Sequence, residues 1–266
     1  FNLLKKEITT SSGSMTSIPR PLKYLQGSFE KLREAYNNDQ NSEAKKVYGD
    51  LLCILVLVVD TEDTSLKYIL ENDLKNYEEW GQELIRALSG EITTEYLKRL
   101  DAESAIDDIL LLVANVVKNL ISSNNESEAI DLLIELDLVD DIKEYANEKN
   151  YKKFCGYLIA ISNFAAESSE QRKVLEITFE LYTKYNEFTN ALRIAIKLKE
   201  KMYIQSTITG CTDKATKIQM AFILARSKIL VESSDLDPEL HDIMRNLKES
   251  ENFKNLARSL DIMAPK

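Results

Sequence analysis

Glycine and proline are both scarce in this chain. Its 266 residues include 7 glycines and 4 prolines, whereas average usage of about 7% and 5% would give far more of each. These residues interrupt helices and build the tight turns of β-hairpins. Their scarcity therefore favours long helices and argues against a strand-rich fold. Hydrophobic residues make up 44% and charged residues 29% of the chain, which is a globular composition rather than a disordered one.

Clustered positive charge is also lacking. The chain has 34 basic and 44 acidic residues, which gives a net charge of −10. No run of Lys or Arg is longer than two residues. Such a surface repels a polyanion on average, so we expect no nucleic-acid partner.

No long hydrophobic run is present. The longest, Leu51–Val59, has nine residues, whereas a membrane-spanning helix needs about 20. This run predicts a core segment, and we expect no membrane partner. No secretory signal is visible, and the chain begins with Phe1 rather than Met. We therefore expect a fragment of a longer cytoplasmic and nuclear protein.

Cysteine and histidine are too few for a disulfide framework or a metal cluster. The three cysteines, Cys53, Cys155 and Cys211, are far apart and odd in number, which predicts separate, buried, reduced thiols. The single histidine, His241, follows a helix-start pattern with Asp237 as N-cap and Pro238 in the first turn. It is interpreted as a surface helix residue.

Motifs that carry chemistry are absent. The sequence has no glycine-rich loop of the kinds that hold phosphates. The pairs Asp107/Asp108 and Asp140/Asp141 are adjacent residues, which diverge by about 100° on a helix, so solvated faces or caps explain them better than acid–base catalysis. We therefore expect no catalytic, cofactor-binding or metal-binding residue, and no enzymatic activity.

Two isolated features have ordinary structural explanations. The sequon Asn125-Glu126-Ser127 is interpreted as the loop at a helix start. Trp80 lies among apolar residues and is predicted to pack in the core, with an anchor for a bound peptide as the alternative.

Apolar residues recur with the period of a helix. Between residues 106 and 120 they fall on one stripe, with polar residues off it. Shorter stripes of the same spacing occur further along the chain. The first stripe comprises Ile106, Ile109, Leu110, Val113, Val116, Val117 and Leu120, and the last comprises Ile218, Ala221, Phe222 and Ala225.

The run Leu51–Val59 alone is also compatible with a buried strand. Helical spacing extends it upstream, which favours a largely buried helix. The residues of this longer stripe are Ala44, Val47, Tyr48, Leu51, Leu52 and Leu55.

A weak repeat of 62 residues is visible in the second half. Leu136, Leu198 and Leu260 share this spacing, and aliphatic residues recur around the first two. One repeat has room for four short helices, that is, two hairpins close to the size of a tetratricopeptide repeat. A single hairpin cannot bury its own apolar stripe, so neighbouring hairpins must stack.

These patterns predict an all-α fold of stacked helical hairpins, an α-solenoid with a tetratricopeptide-like arm. Residues 1–21 are assigned to a helix tail and a Ser/Pro linker. Residues 22–121 are assigned to a helical N-terminal part, and residues 122–266 to the part with the hairpin repeat.

Five sequence blocks resemble one family, the non-ATPase subunit 2 of the 26S proteasome regulatory particle, and they occur in the order of that family. Residues 82 and 84 depart from it, since Gln82 and Leu84 stand where the family commonly has His and an aromatic residue. The segment 93–108 matches little. The blocks are residues 14–25, 80–92, 128–135, 219–226 and 255–266.

This resemblance implies a non-catalytic scaffold in the base of the regulatory particle, docked on the ATPase ring. It implies ATPase subunits and other regulatory-particle subunits as partners. In the family, ubiquitin and ubiquitin-like shuttle factors bind a ring of proteasome/cyclosome repeats, a region of the parent chain that is not present here. No ubiquitin-contacting residue is therefore assigned.

A free-standing helical-repeat adaptor that binds short peptides is the alternative. Such an adaptor should repeat basic or aromatic residues at one position, to clamp its peptide. At the 62-residue spacing we find recurrence of aliphatic positions only, which favours the scaffold.

Overall fold

The fold is entirely helical in the part of the chain that the structure describes. A computed structural model describes residues 3–4, 6–7, 20–39, 41–59, 61–231, 237–247 and 251–261. Helix accounts for 78% of these residues and none of them lies in a strand, so the all-α prediction is confirmed. The predicted Ser/Pro linker falls almost wholly outside the described residues.

The chain divides into two compact units, residues 1–145 and 146–266. The predicted limits after residues 21 and 121 remain predictions. The first unit contains 3₁₀ turns at Gln26–Ser28, Val56–Val58, Tyr77–Trp80 and Val139–Asp141. Its helices are α1 (Arg20–Leu25), α2 (Phe29–Asn38), α3 (Ser42–Leu55), α4 (Ser65–Asn72), α5 (Gln82–Asp101), α6 (Asp107–Ser122), α7 (Glu126–Glu135) and α8 (Ile142–Tyr145).

The second unit also consists of helices. Helix α10 packs against α9 and α11, α11 packs against α12, and α13 packs against α14, as stacked hairpins require. Its helices are α9 (Tyr151–Ser162), α10 (Ser168–Lys184), α11 (Phe188–Leu198), α12 (Lys201–Gly210), α13 (Lys214–Ser227), α14 (Pro238–Met244) and α15 (Glu251–Ser259).

The ambiguous run Leu51–Val59 is helical rather than extended. Helix α3 continues to Leu55 and tightens into a 3₁₀ turn over Val56–Val58. Leu52 and Leu55 are fully buried, as predicted. The predicted stripe is wrong at Val47, which is 48% exposed, because the buried residues of α3 are confined to its second half, from Gly49 to Leu55.

Five of the seven residues in the long stripe at α6 are buried and Ile106 and Leu110 are half-exposed, whereas the stripe of α13 is displaced. In α13 the core side is formed by Met220, Ala221, Leu224 and Ala225, so Phe222 points outward and is 54% exposed. The prediction for Phe222 is therefore wrong. A Phe at helical spacing from two alanines fits either side of the helix, and Met220 and Leu224 supply the larger aliphatic surface.

The helix order agrees with the 62-residue repeat. Helix α7 begins at residue 126 and α11 at residue 188, and the 3₁₀ turn that begins at residue 139 and leads into α8 is matched at the same offset by the start of α12 at residue 201, whereas α10 and α14 begin 70 residues apart, at residues 168 and 238. Ile130 and Leu192, which are equivalent at this offset, are both fully buried, and so is the pair Ala129 and Ala191. Each repeat contains four helices, as the spacing predicts.

Turns without glycine explain how so many helices coexist with so few glycines. Nine non-glycine residues among those described have a positive φ, from 49° to 60°. Lys199 and Lys228 hold this left-handed conformation at the C-caps of α11 and α13, a place that glycine commonly occupies. Gly81, with φ 98° and ψ 179° before α5, lies in a region that only glycine readily adopts.

Candidate interaction surfaces

Trp80 and His241 have the structural roles predicted for them. Trp80 is 2% exposed, and its indole Nε1 donates a hydrogen bond of 2.6 Å to Asp50 Oδ1. Its burial leaves no surface for anchoring a peptide. His241 lies half-exposed in the short helix α14. The side chain of Asp237 caps this helix by accepting from the N–H of Glu239, and Pro238 is in its first turn.

The three cysteines are buried and lie in separate parts of the fold, as predicted. Cys53 lies in α3, Cys155 in α9, and Cys211 directly follows α12. Burial raises the pKa of the Cys155 thiol to about 12. Because the thiolate is the reactive form of cysteine, Cys155 has no nucleophilic character near neutral pH.

The paired carboxylates are on the surface and do not converge on a site. Asp107 and Asp108 are exposed in the first turn of α6, where acidic residues complement the helix dipole. Asp108 accepts from Arg99 Nη1 at 2.8 Å. Asp140 and Asp141 are exposed in a 3₁₀ turn.

The residues that the structure describes contain neither a metal-binding cluster nor a membrane-spanning helix. No group of three or more His, Cys, Asp or Glu side chains among them is arranged to hold a metal ion. None of the helices in that part of the chain is both long and apolar enough to cross a membrane.

The second and third sequence blocks meet in a polar ladder between α5 and α7. Arg86 Nε lies 2.9 Å from Glu128 Oε1, and Gln82 Oε1 accepts from Asn125 Nδ2 at 3.2 Å. Beyond the second block, the Thr93 hydroxyl donates to Glu135 Oε2 at 2.9 Å. These blocks thus set the register of two neighbouring helices, which is an architectural task rather than a catalytic one.

A half-buried carboxylate, which the sequence patterns did not reveal, joins α5 to α4. Glu91 accepts from the backbone N–H groups of Ser65 and Leu66, at 3.2 and 2.7 Å, in the first turn of α4. Ser65 Oγ in turn donates to the carbonyl of Cys53 in α3 at 2.8 Å. Burial raises the pKa of Glu91, although both backbone hydrogen bonds favour its ionised form. Periodicity assigns this residue only to a helix, so its partners are visible only in the fold.

A second carboxylate with several partners, Asp63, fixes α2 and α4. Arg33 Nε and Lys67 Nζ each lie 3.0 Å from its oxygens, and the Tyr68 hydroxyl donates to it at 3.0 Å. Burial opposes ionisation of Asp63, but these partners outweigh it and lower the pKa. The N-terminal unit is therefore held together by specific polar contacts as well as by its apolar core.

The first unit has an open groove between α4 and α6, with a volume of about 790 Å³. Its floor is aliphatic, and Leu111, which is 69% exposed, forms part of one wall. Lys75 and Lys118 lie on its rim with Asp73 and Glu78. Such a groove suits a helix or an extended segment of another protein better than a small molecule, because it is open rather than enclosed.

Comparison with known proteins identifies one family. The sequence matches the family described as RPN1 N-terminal domain over residues 1–266. It is 35% identical, over 99% of its length, to 26S proteasome non-ATPase regulatory subunit 2 homolog A of Arabidopsis thaliana and to 26S proteasome non-ATPase regulatory subunit 2 of Dictyostelium discoideum. It is 32% identical to 26S proteasome regulatory subunit rpn1 of Schizosaccharomyces pombe, again over 99% of the chain. The chain spans 30%, 30% and 29% of these relatives, respectively.

Proposed function

The chain belongs to the family of RPN1 N-terminal domains, and on that basis we propose that it is a non-catalytic scaffold arm of the 26S proteasome regulatory particle. The observation that carries this proposal is the family match over the whole sequence, together with relatives named as regulatory, non-ATPase subunits. In this role the chain supports ubiquitin-dependent protein degradation by holding other subunits in place. We further propose that it docks on the ATPase ring.

The geometry supports a holding function. Stacked helical hairpins expose long surfaces, and their stability comes from contacts between neighbouring hairpins rather than from a ligand. The second and third sequence blocks form helix-to-helix contacts such as Arg86–Glu128. The candidate carboxylates at residues 107–108 and 140–141 are exposed on the surface, and the candidate thiols are buried. None of these side chains is placed beside a partner suited to acid–base or nucleophilic chemistry.

We propose the groove between α4 and α6 as the docking surface for an ATPase helix. An amphipathic helix places apolar side chains every three or four residues into an apolar groove, and the aliphatic floor with a charged rim matches that pattern. We propose cytoplasm and nucleus as the location, and other regulatory-particle subunits as further partners.

The proposal is tested by retention of ATPase subunits on the recombinant chain. Purified ATPase subunits should be retained at low salt and released at high salt, since charges on the groove rim add a screened attraction. Leu111→Glu should reduce retention, because it places a charge on the apolar wall. Val47→Glu is the matched control, since Val47 is also an exposed aliphatic residue on a helix of the first unit.

Calorimetry with mono-ubiquitin and with ATP completes the test. Neither ligand should bind appreciably, because the chain has no phosphate-binding loop and the ubiquitin-binding ring expected for the family lies outside it. Tight binding of either ligand would overturn the proposed role. A failure to retain any ATPase subunit at low salt would refute the docking while leaving the family membership intact.

A further inference from the structure

One segment of the second unit is strongly basic in an acidic protein. Residues 188–231 contain eight Lys or Arg residues and two acidic residues, in a chain whose net charge is −10. Of the eight, Lys214 pairs with Glu239 at 3.2 Å. The other seven form no ion pair with any residue that the structure describes, and most are exposed. They are Arg193, Lys197, Lys199, Lys201, Lys217, Arg226 and Lys228.

The fold gathers part of this charge around a groove. The groove has a volume of about 410 Å³ and lies between the start of α12 and the residues that follow α13. Two more exposed cations are close to the lining residues in sequence, since Lys199 precedes Lys201 by two positions and Lys228 immediately precedes Ile229. Lys201 lines the groove itself. Its lining is Lys201, Ile204, Gln205, Ile229, Leu230 and Val231.

The same site offers exposed apolar surface. Leu230 is 53% exposed and Met202, next to Lys201, is 79% exposed. Ile229 and Val231 are half-exposed on either side of Leu230. A ligand that fits must therefore supply negative charge and aliphatic or aromatic side chains together.

The repeat shows that the basic character is not required by the fold. At the 62-residue offset, Arg193, Lys197 and Lys199 correspond to Asp131, Glu135 and Asp137, and Leu230 corresponds to Ser168. Lys199 and Asp137 even share the left-handed conformation, with φ of 59° and 56°. The same backbone position thus accepts either sign, so the packing of the helices does not explain the cluster of cations.

We propose that the surface formed by Lys199, Lys201, Lys228, Met202 and Leu230 binds an acidic peptide segment that carries apolar anchor residues. Electrostatic complementarity selects the acidic partner, and the groove receives its apolar side chains. The proposal is independent of docking through the α4–α6 groove, which lies in the other unit.

A peptide suits this surface better than a nucleic acid does. The residues that line the groove are four aliphatic residues with Lys201 and Gln205, and none of them carries an aromatic ring on which a base could stack. The rest of the chain is acidic and would repel an extended polyanion. A short peptide interacts mainly with the cations that lie within the Debye length, about 8 Å at physiological salt.

Fluorescence anisotropy with a short labelled peptide tests the proposal on the complete 266-residue chain. The probe peptide alternates Glu and Asp with Leu at i, i+3 and i+4 spacing. It should bind saturably and more weakly as salt rises, whereas a basic peptide with the same leucines should not bind. An acidic peptide with Ser in place of each Leu should bind at least about fivefold more weakly.

Variants assign the binding to this surface. Lys199→Asn/Lys228→Asn should weaken binding about fivefold, because it removes two exposed charges, and Asn tolerates the left-handed backbone at both positions. Leu230→Ser should weaken it by a similar factor. Lys31→Gln/Lys46→Gln, which removes two exposed lysines of the first unit, should leave it unchanged. Circular dichroism checks that every variant keeps its helix content.

Three results would overturn the proposal. The first is no saturable binding of the acidic, leucine-bearing peptide. The second is binding that the double Asn variant and Leu230→Ser both leave unchanged. The third is a single-stranded oligonucleotide of equal charge that binds as tightly as the peptide, which would indicate a nucleic-acid surface instead.

Discussion

Residues 126–169 and 188–231 are two copies of one helix pattern with opposite charge. The first copy contains ten acidic and four basic residues, and the second contains two acidic and eight basic residues. The buried positions nevertheless agree, as Ile130 with Leu192 and Ile142 with Ile204 show. Helix packing therefore constrains the core positions of the repeat, while the sign of the surface charge is free to follow what each copy binds.

Removing equivalent core side chains should produce the largest effects. Ile130→Ala and Leu192→Ala each delete methyl groups from a fully buried position, and each should lower the free energy of unfolding by about 2–5 kcal/mol. Urea titrations followed by circular dichroism measure this. Leu111→Ala is the control, and it should change stability by no more than about 0.5 kcal/mol because Leu111 is exposed. If only one of the two substitutions lowered the free energy of unfolding this much, the two positions would not be structurally equivalent.

The residues just before α7 and α11 should differ in their contribution to the stability of the fold. Glu187 accepts from the Tyr151 hydroxyl at 3.0 Å and from Asn190 Nδ2 at 3.2 Å, whereas the equivalent Asn125 donates to Gln82. Glu187→Ala should lower the free energy of unfolding by about 1–3 kcal/mol. The substitution removes two hydrogen bonds to a charged acceptor and leaves the partly buried Tyr151 hydroxyl without that acceptor. Asn125→Ala should cost about 0.5–1.5 kcal/mol. Equal losses in thermal or urea unfolding would mean that the charge at Glu187 adds nothing.

The titration of Tyr151 should report the same difference. Burial and the hydrogen bond to the Glu187 carboxylate raise the pKa of Tyr151 above 10.0. The neutral phenol therefore stabilises the folded state fully below pH 10, and this contribution is lost as the pH rises through the raised pKa. Glu187→Gln should lower the pKa of Tyr151, as measured by ultraviolet titration with Tyr151→Phe as the reference. A pKa that does not move would assign the shift to burial alone.

Reversing a charge at the end of α11 should have the smallest effect. Lys197 lies in the last turn of α11, where a cation complements the negative end of the helix dipole. Lys197→Glu should lower stability by about 0.3–1 kcal/mol at low salt, and added salt should reduce the loss. A loss that is insensitive to salt would point to packing rather than to electrostatics.

The sequence alone predicted the class of fold well because its periodicity reports burial directly. The stripe of α6 and the 62-residue spacing agree with the structure, and so does the cap formed by Asp237 before Pro238. Phe222 and Val47 were predicted as core residues and are exposed. A periodic pattern shows that a helix has an apolar side, but it does not show where the neighbouring helices end or which of two apolar sides they cover.

The polar contacts were beyond prediction for a different reason. Glu91 reaches the first turn of α4, and Asp63 gathers Arg33 and Lys67. The contact of Glu91 with α4 and that of Arg33 with Asp63 each join residues that are about 26–30 positions apart in the sequence. A contact over that separation leaves no recognisable pattern in a single sequence. The basic groove of the second unit was missed similarly, since its cations are spread over 44 positions and no two of them are adjacent.

Several turns between helices contain a non-glycine residue in the left-handed conformation, called a joint here, and the side chain at a joint can change while the backbone geometry stays the same. A glycine at such a joint would relieve strain of about 1 kcal/mol or more, but it would carry no side chain. Here the joints keep side chains, so that Asp137 and Lys199 present opposite charges from the same backbone geometry. A single substitution at a joint thus changes the charge that the turn presents without requiring a different backbone geometry.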